Sequence, residues 1–372
     1  MRRPRVLVVD DSAAVRSLLS DILKADPEIE LVGAAANAAI ALSKIQSAAP
    51  DVVTLDVEMP DVNGLELLAR IREVAPRLPV IMFSALTQRA AATTLEALAR
   101  GASDYVTKPS GTGSREASIE QVRSQLIPKI KTLTRHLADT PPARPAPPAA
   151  LRARDPAAGQ VRSCPRIEVV AVASSTGGPN ALAQLFQDIP QNFPLPVVVV
   201  QHMPPLFTRL LAERLSSTCH LRFKEAADGE PLRAGEVYIA PGDYHMALRR
   251  EASEVRVVLN REPAENSVRP AADVLFRSVA AAYGARAMGV VLTGMGQDGL
   301  RGCELLRGAG AWIVAQNEAS SVVWGMPGFV VRAGLADRVL PLSEIAAEVL
   351  LRSMKPLEAR FQAALGEARR VS

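Results

Sequence analysis

Short apolar runs alternate with helix-period segments along this chain, twice over, and that alternation sharply limits the folds open to it. In the first 110 residues RVLVVD (5–10), LVGAA (31–35), DVVTLD (51–56), PVIMFSA (79–85) and DYVTK (104–108) have the length and apolar content of buried strands. VRSLLSDILK and LELLARIREV, between them, carry apolar residues at helical spacing. Such alternation predicts a parallel sheet with helices on both faces, the doubly wound α/β arrangement. A further helical pattern covers roughly residues 119–137.

Composition then changes abruptly. PPARPAPPAA (141–150) holds five prolines in ten residues, and the stretch to residue 165 stays poor in large apolar side chains. Such a segment buries too little surface to fold and is expected to be a semi-rigid linker. The alternation resumes with IEVVAVA from residue 167, then VVVVQH (197–202), EVYIA (236–240), EVRVVLN (254–260), AMGVVLTG (287–294) and AWIVAQ (311–316). The expected organisation is α/β throughout: two doubly wound, mainly parallel-sheet domains joined by a Pro-rich linker. The first spans 1–125, the linker 126–165 (a helix end, then Pro/Ala-rich), the second 166–355, and a polar tail 356–372.

Several function classes recede on composition. No apolar run approaches the roughly 18 residues of a membrane span, and Val6 to Val9 is too short for a signal-peptide core. A cytoplasmic location without membrane insertion is expected. Cys164, Cys219 and Cys303 are scattered, and none of His136, His202, His220 and His245 completes a zinc pattern with them. Residues 111–165 hold nine Lys or Arg against four Asp or Glu, whereas residues 166–372 hold 22 against 21. The basic excess therefore sits in the middle segment, which argues against a nucleic-acid partner.

The chemistry-bearing residues fall at predicted strand ends. Asp10 and Asp11 end the first strand, Asp56 the third, Ser84 the fourth and Lys108 the fifth. In a doubly wound sheet, ligands bind outside the carboxyl ends of the strands near the switch point. Three converging carboxylates repel unless a hard cation sits among them, and Mg²⁺ with oxygen ligands fits. A lysine and a hydroxyl nearby suit a phosphoryl group, which an aspartate can accept covalently.

In the second domain AVASSTGGPNAL (171–182) runs from a strand through a glycine-rich turn into a helix. Such a turn seats a serine nucleophile, an anion-binding loop or a plain connection equally well. His202 lies just past another apolar strand, and Asp298 lies just past a third in a loop with Gly294, Gly296 and Gly299. All three fall on one edge of a parallel sheet, which favours Ser–His–Asp chemistry. His245 in APGDYHM is the rival base, ranked as site-lining or structural. His220 has no supporting partner, and Trp324 suits lining the site or packing equally.

Two resemblances sharpen these readings. VLVVDDS, TLDVEMPDVNGLELL, VIMFSA and DYVTKP resemble the receiver domain of two-component response regulators, whose sheet is flavodoxin-like. That resemblance implies Asp56 as phospho-acceptor, with Asp11, Asp56 and the Glu58 carbonyl as Mg²⁺ ligands supported by Asp10. It implies phosphoryl contacts from Ser84 and Lys108, and Tyr105 as switch aromatic. SSTGGPNAL, QHMPPLFT, IAPGDYHM and LTGMGQDG resemble the catalytic domain of the CheB protein-glutamate methylesterases, a Rossmann-like α/β domain.

This second resemblance implies Ser175 as nucleophile, His202 as base and Asp298 as orienting acid, with Thr176 and Met295 beside the oxyanion region. The family usually has Gly-Ala before S-T-G-G, where this chain has Ala173-Ser174. Its members demethylate glutamate esters, and deamidate glutamines, on methyl-accepting chemoreceptors. They take phosphate from a CheA-type histidine kinase, and the esterase chemistry needs no cofactor. The alternatives are a response regulator with a DNA-binding output or with a catalytically idle one.

Overall fold

The five strands expected in the first domain all form, and all pair in parallel. The structure is a computed structural model that describes residues 2–60, 62–109, 114–135 and 166–353. The chain divides into two units, 1–164 and 165–372. In the first, β1 (Arg5–Val9), β2 (Glu30–Ala35), β3 (Val52–Asp56), β4 (Val80–Ser84) and β5 (Asp104–Thr107) lie in the order β2-β1-β3-β4-β5. This is the flavodoxin-like strand order, with its switch point between β1 and β3.

Helices α1 (Ala13–Lys24), α2 (Ala38–Ala48), α3 (Gly64–Val74), α4 (Gln88–Ala99) and α5 (Arg115–Leu133) alternate with these strands. Each begins at a side-chain cap: Ser12, Asn37, Asn63, Thr87 and Ser114 accept from the helix's free N–H groups. The Ser114 cap starts α5 four residues before the expected 119, and the helix continues past residue 125 to Leu133. The rest of the expected linker, 136–165, and the expected tail lie outside the described residues.

The second unit is built on β6 (Val169–Ser174), β7 (Val197–Gln201), β8 (Arg222–Glu225), β9 (Glu236–Ile239), β12 (Ala287–Val291), β13 (Trp312–Gln316) and β14 (Arg338–Leu340). They form one sheet ordered β14-β13-β12-β6-β7-β9-β8, every pair parallel. Around it lie α6 (Gly178–Gln187), α7 (Phe207–Thr218), α8 (Ala272–Tyr283), α9 (Leu300–Gly308), α10 (Met326–Arg332) and α11 (Leu342–Ser353). The sheet reverses direction of growth between β6 and β12, so their carboxyl ends frame the crevice where ligands bind.

EVRVVLN does not join this sheet. As β11 (Glu254–Asn260) it pairs antiparallel with β10 (His245–Glu251), a strand the sequence pattern did not signal. Alternation explains it: Val255 and Val257 are buried against α8 and the hairpin's own core, while Arg256 faces out. A central strand of a parallel sheet would be buried on both faces. Met246, Leu248, Phe276 and Val279 fill the space between hairpin and helix.

Candidate active site

In the first domain, register does the assembling. Val9 pairs with Leu55, so Asp10 and Asp56 emerge side by side at the switch point. Asp10, Asp11 and Asp56 bring one carboxylate oxygen each within 4.8 Å of one another. Asp10 and Asp56 are fully buried, whereas Asp11 is exposed. Lys108 Nζ lies 2.8 Å from Asp56 Oδ1 and 3.3 Å from Asp10 Oδ2.

Burial pushes the Asp56 carboxyl up to about 6 and raises Asp10 too, against the pull of Lys108. Burial alone would lower Lys108; its hydrogen bond to Asp56 and both carboxylate charges outweigh that and raise it. Asp56 Oδ2 is buried with no hydrogen-bond donor, and Asp10 Oδ2 is buried with the Lys108 ammonium at 3.3 Å. An orphaned buried carboxylate oxygen within a cluster of three carboxylates, one of them exposed, fits a hard divalent cation. The Glu58 side chain is exposed, and its N–H donates to Asp56 Oδ1 at 3.2 Å.

Ser84 is fully buried but its hydroxyl turns toward α4, 2.7 Å from Thr94 Oγ1, with the Ala85 and Ala90 carbonyls as acceptors. The expected phosphoryl contact requires it to turn from that network. Tyr105 is buried, with Lys129 Nζ 5.1 Å above its ring and 2.8 Å from Asp104 Oδ1.

In the second domain the SSTGG turn links β6 to α6. Ser174 pairs with Gln201 across β6 and β7, so Ser175 and His202 are the next residues out on adjacent strands. Adjacent strands run about 4.8 Å apart. The His202 N–H donates to the Ser174 carbonyl at 3.1 Å, and the Ser175 N–H donates to the Thr293 carbonyl at 3.1 Å. The second of these bonds ties the turn to the loop after β12.

Gly294 in that loop must be glycine, since a Cβ there would lie 2.4 Å from Met326 Sδ and 2.9 Å from Ser175 Cβ. Gly177 sits at φ 78° as the N-cap of α6, a backbone that favours glycine.

The two serines differ sharply. Ser174 is fully buried and donates to Gln201 Oε1 at 2.7 Å, while Gln201 Nε2 donates to the Ser175 carbonyl at 3.0 Å. Ser175 is only partly buried. Among the described residues no hydrogen bond joins Ser175 Oγ to the His202 ring, a common looseness in unliganded sites. Thr176 is buried, and its carbonyl accepts from Thr293 Oγ1 at 2.9 Å; Met295 is partly buried in the Gly294–Asp298 loop.

Asp298 is 3% exposed and saturated with donors. His202 Nε2 lies 2.7 Å from Oδ2. The N–H groups of Ala272, Asp273 and Gly299 donate at 2.6, 3.1 and 3.0 Å, and Asn266 Nδ2 at 2.9 Å. The first two are the opening N–H groups of α8, which has no side-chain cap of its own. Asp298 therefore caps α8 from another loop. Burial would raise its carboxyl, but the His202 hydrogen bond and charge and these N–H groups hold it below the usual aspartate value.

His245 is fully buried, with Nδ1 accepting from the Ala271 N–H at 3.2 Å and Nε2 facing the Pro263 carbonyl at 3.1 Å. Both ring nitrogens are committed, and the ring anchors the start of α8. The structure thus gives it the structural part of its expected role. His220 is exposed beyond α7. Trp324 packs: its indole N–H donates to the Gln316 carbonyl at 3.1 Å and Arg332 lies over its ring.

Gln201, Asn266 and Asp273 were not singled out from sequence. A polar residue closing the VVVVQ strand and an Asn-Ser pair before Arg-Pro were the available signals.

Residues 170–349 match the CheB methylesterase family, and residues 6–120 match the response regulator receiver domain. A protein-glutamate methylesterase/protein-glutamine glutaminase of Trichodesmium erythraeum is 50% identical over 359 residues, 95% of this chain and 99% of that protein. A protein of the same name from a Nocardioides strain is 50% identical, covering 94% of this chain and 95% of its own. The crystal structure of the Thermotoga maritima CheB methylesterase catalytic domain is 43% identical, with a TM-score of 0.49, over 50% of this chain and 97% of its own. The identity and coverage of these full-length relatives establish that the chain belongs to the protein-glutamate methylesterase/protein-glutamine glutaminase family, a receiver domain followed by a CheB methylesterase domain.

Proposed function

We propose that this chain is a phosphorylation-activated serine hydrolase that demethylates glutamate methyl esters, and deamidates glutamines, on the cytoplasmic helices of chemoreceptors. The observation that carries the reading is the strand-end set: Ser175 and His202 on adjacent strands, and Asp298 bonded to His202 Nε2 at 2.7 Å. The ionised Asp298 accepts, so Nε2 carries the proton and Nδ1 holds the lone pair.

Ser175 Oγ attacks the ester carbonyl carbon as His202 Nδ1 takes its proton. The tetrahedral oxyanion is met by N–H donors near Thr176 and Met295. Its collapse breaks the bond to methoxide, which leaves as methanol with the proton from His202. Water then attacks the acyl-enzyme by the same route and frees glutamate and Ser175. With glutamine as substrate the first leaving group is ammonia. Ser174 is a poor rival for the attack, being buried and committed to Gln201.

The receiver is the control. Asp56 takes a phosphoryl group from a CheA-type histidine kinase, with Lys108 beside it to meet the added charge. Asp10, Asp11, Asp56 and the Glu58 carbonyl would hold Mg²⁺, which when bound offsets carboxylate and phosphoryl charge. The unphosphorylated receiver restrains the esterase, and a phosphorylation-linked change of ~1.4 kcal/mol in that restraint alters the active fraction up to about tenfold. The cytoplasm, where the kinase and receptor helices lie, is the working compartment. Methanol release from methylated receptor membranes tests the reading: wild type releases it and Ser175→Ala does not. Equal release from both would overturn the assignment.

A further inference from the structure

Glu265 to Val268 form a tight turn closed by a 2.9 Å hydrogen bond from the Val268 N–H to the Glu265 carbonyl. Both central residues are left-handed, Asn266 at φ 52° and Ser267 at φ 64°. Two positive φ values in succession mark a type I′ turn, where glycine usually takes the second place. Serine there is strained, and strained backbone gathers where function over-determines geometry.

The turn aims one side chain. Asn266 Nδ2 donates to Asp298 Oδ1 at 2.9 Å and to Asp273 Oδ2 at 2.8 Å. An amide nitrogen has two protons, and each serves one buried carboxylate. Among the described residues, Asn266 and His202 are the only side chains that bond Asp298. Asn266 and Asp273 both line a 410 Å³ cavity, together with Gln297, Leu300, Arg301 and Glu304. The two carboxylates it bridges, Asp273 and Asp298, are 2% and 3% exposed.

We propose that Asn266 is a positioning residue for ester hydrolysis. Its amide bridges Asp273 and Asp298 and fixes the rotation of the Asp298 carboxylate, so that Oδ2 stays aimed at His202 Nε2. This rests on reading Ser175, His202 and Asp298 as the catalytic set. Main-chain N–H groups alone would leave Oδ1 with Asp273 and Gly299 as donors but no side-chain clamp.

The test uses the full chain and an alkyl fluorophosphonate, whose phosphorus bonds to Ser175 Oγ as fluoride leaves and the hydroxyl proton passes to His202. Asn266→Gly deletes the amide while suiting the left-handed backbone, so the turn survives. Its maximal labelling rate should fall roughly ten- to a hundredfold at an unchanged half-saturating probe concentration. Ser267→Gly relieves the same backbone and keeps the amide, so its rate should stay within about twofold of wild type. In ¹⁵N-histidine-labelled protein the His202 Nε2 proton resonance should broaden or move in Asn266→Gly and persist in Ser267→Gly. Wild-type labelling by Asn266→Gly, or equal slowing by Ser267→Gly, would overturn the proposal. Absence of Ser175 labelling in the wild-type chain would overturn the catalytic reading itself.

Discussion

His202 meets Asp298 through Nε2, 2.7 Å from Oδ2, and in the proposed mechanism that contact leaves Nδ1 as the base. The same carboxylate closes the start of α8, so one side chain serves the histidine and the fold. Asp298→Asn keeps the shape but not the exclusive acceptor, and the imidazole loses its enforced tautomer. Turnover in methanol release should drop by about 10⁴ with little change in KM. A loss under tenfold would contradict an orienting role.

Asp298 also gives a pH signature. Its folded-state carboxyl lies below the ordinary 3.8, so its contribution to stability is present above the unfolded value and is lost as pH falls through the folded one. Both tryptophans, Trp312 and Trp324, lie in the second domain, so their fluorescence reports on that domain alone. The melting-temperature gap between wild type and Asp298→Asn should be widest near neutrality and shrink below about pH 4. A gap constant down to pH 3 would contradict the shift.

Gly294 predicts a steric effect. Gly294→Ala places a methyl group against Ser175 Cβ and Met326 Sδ. With Ser175 as the proposed nucleophile, displacing it by about 1 Å should cost on the order of 10²-fold in turnover. Steady-state methanol release measures this, and wild-type turnover would contradict the packing argument.

Control by the receiver predicts a separable phenotype. Asp56→Asn should retain basal esterase activity and lose stimulation by acetyl phosphate with Mg²⁺. Chelating the metal should abolish stimulation in wild type and leave basal activity intact. Undiminished stimulation of Asp56→Asn would contradict its role as phospho-acceptor.

Much of this site was legible in the sequence because its residues sit just past strongly apolar strands. Val197–Gln201 and Ala287–Val291 announce themselves, and the parallel fold brings the loops at their carboxyl ends to one edge. β10 was not legible: HMALRRE ends in three charged residues and buries only its first half. β8 buries a single residue, Phe223, and β14 is three residues long. Asn266 and Gln201 act on partners 32 and 26 residues away, through hydrogen bonds no local pattern encodes. The difference between Ser174 and Ser175 belongs to the same class. A hydroxyl's burial is set by the neighbouring strand, and only the pairing with Gln201 separates the two.

The most direct test of the account is to locate the fluorophosphonate adduct by fragmenting the peptide that carries both serines. The adduct is predicted on Ser175, absent from Ser175→Ala and present in Ser174→Ala. An adduct on Ser174, or one that survives in Ser175→Ala, would contradict it.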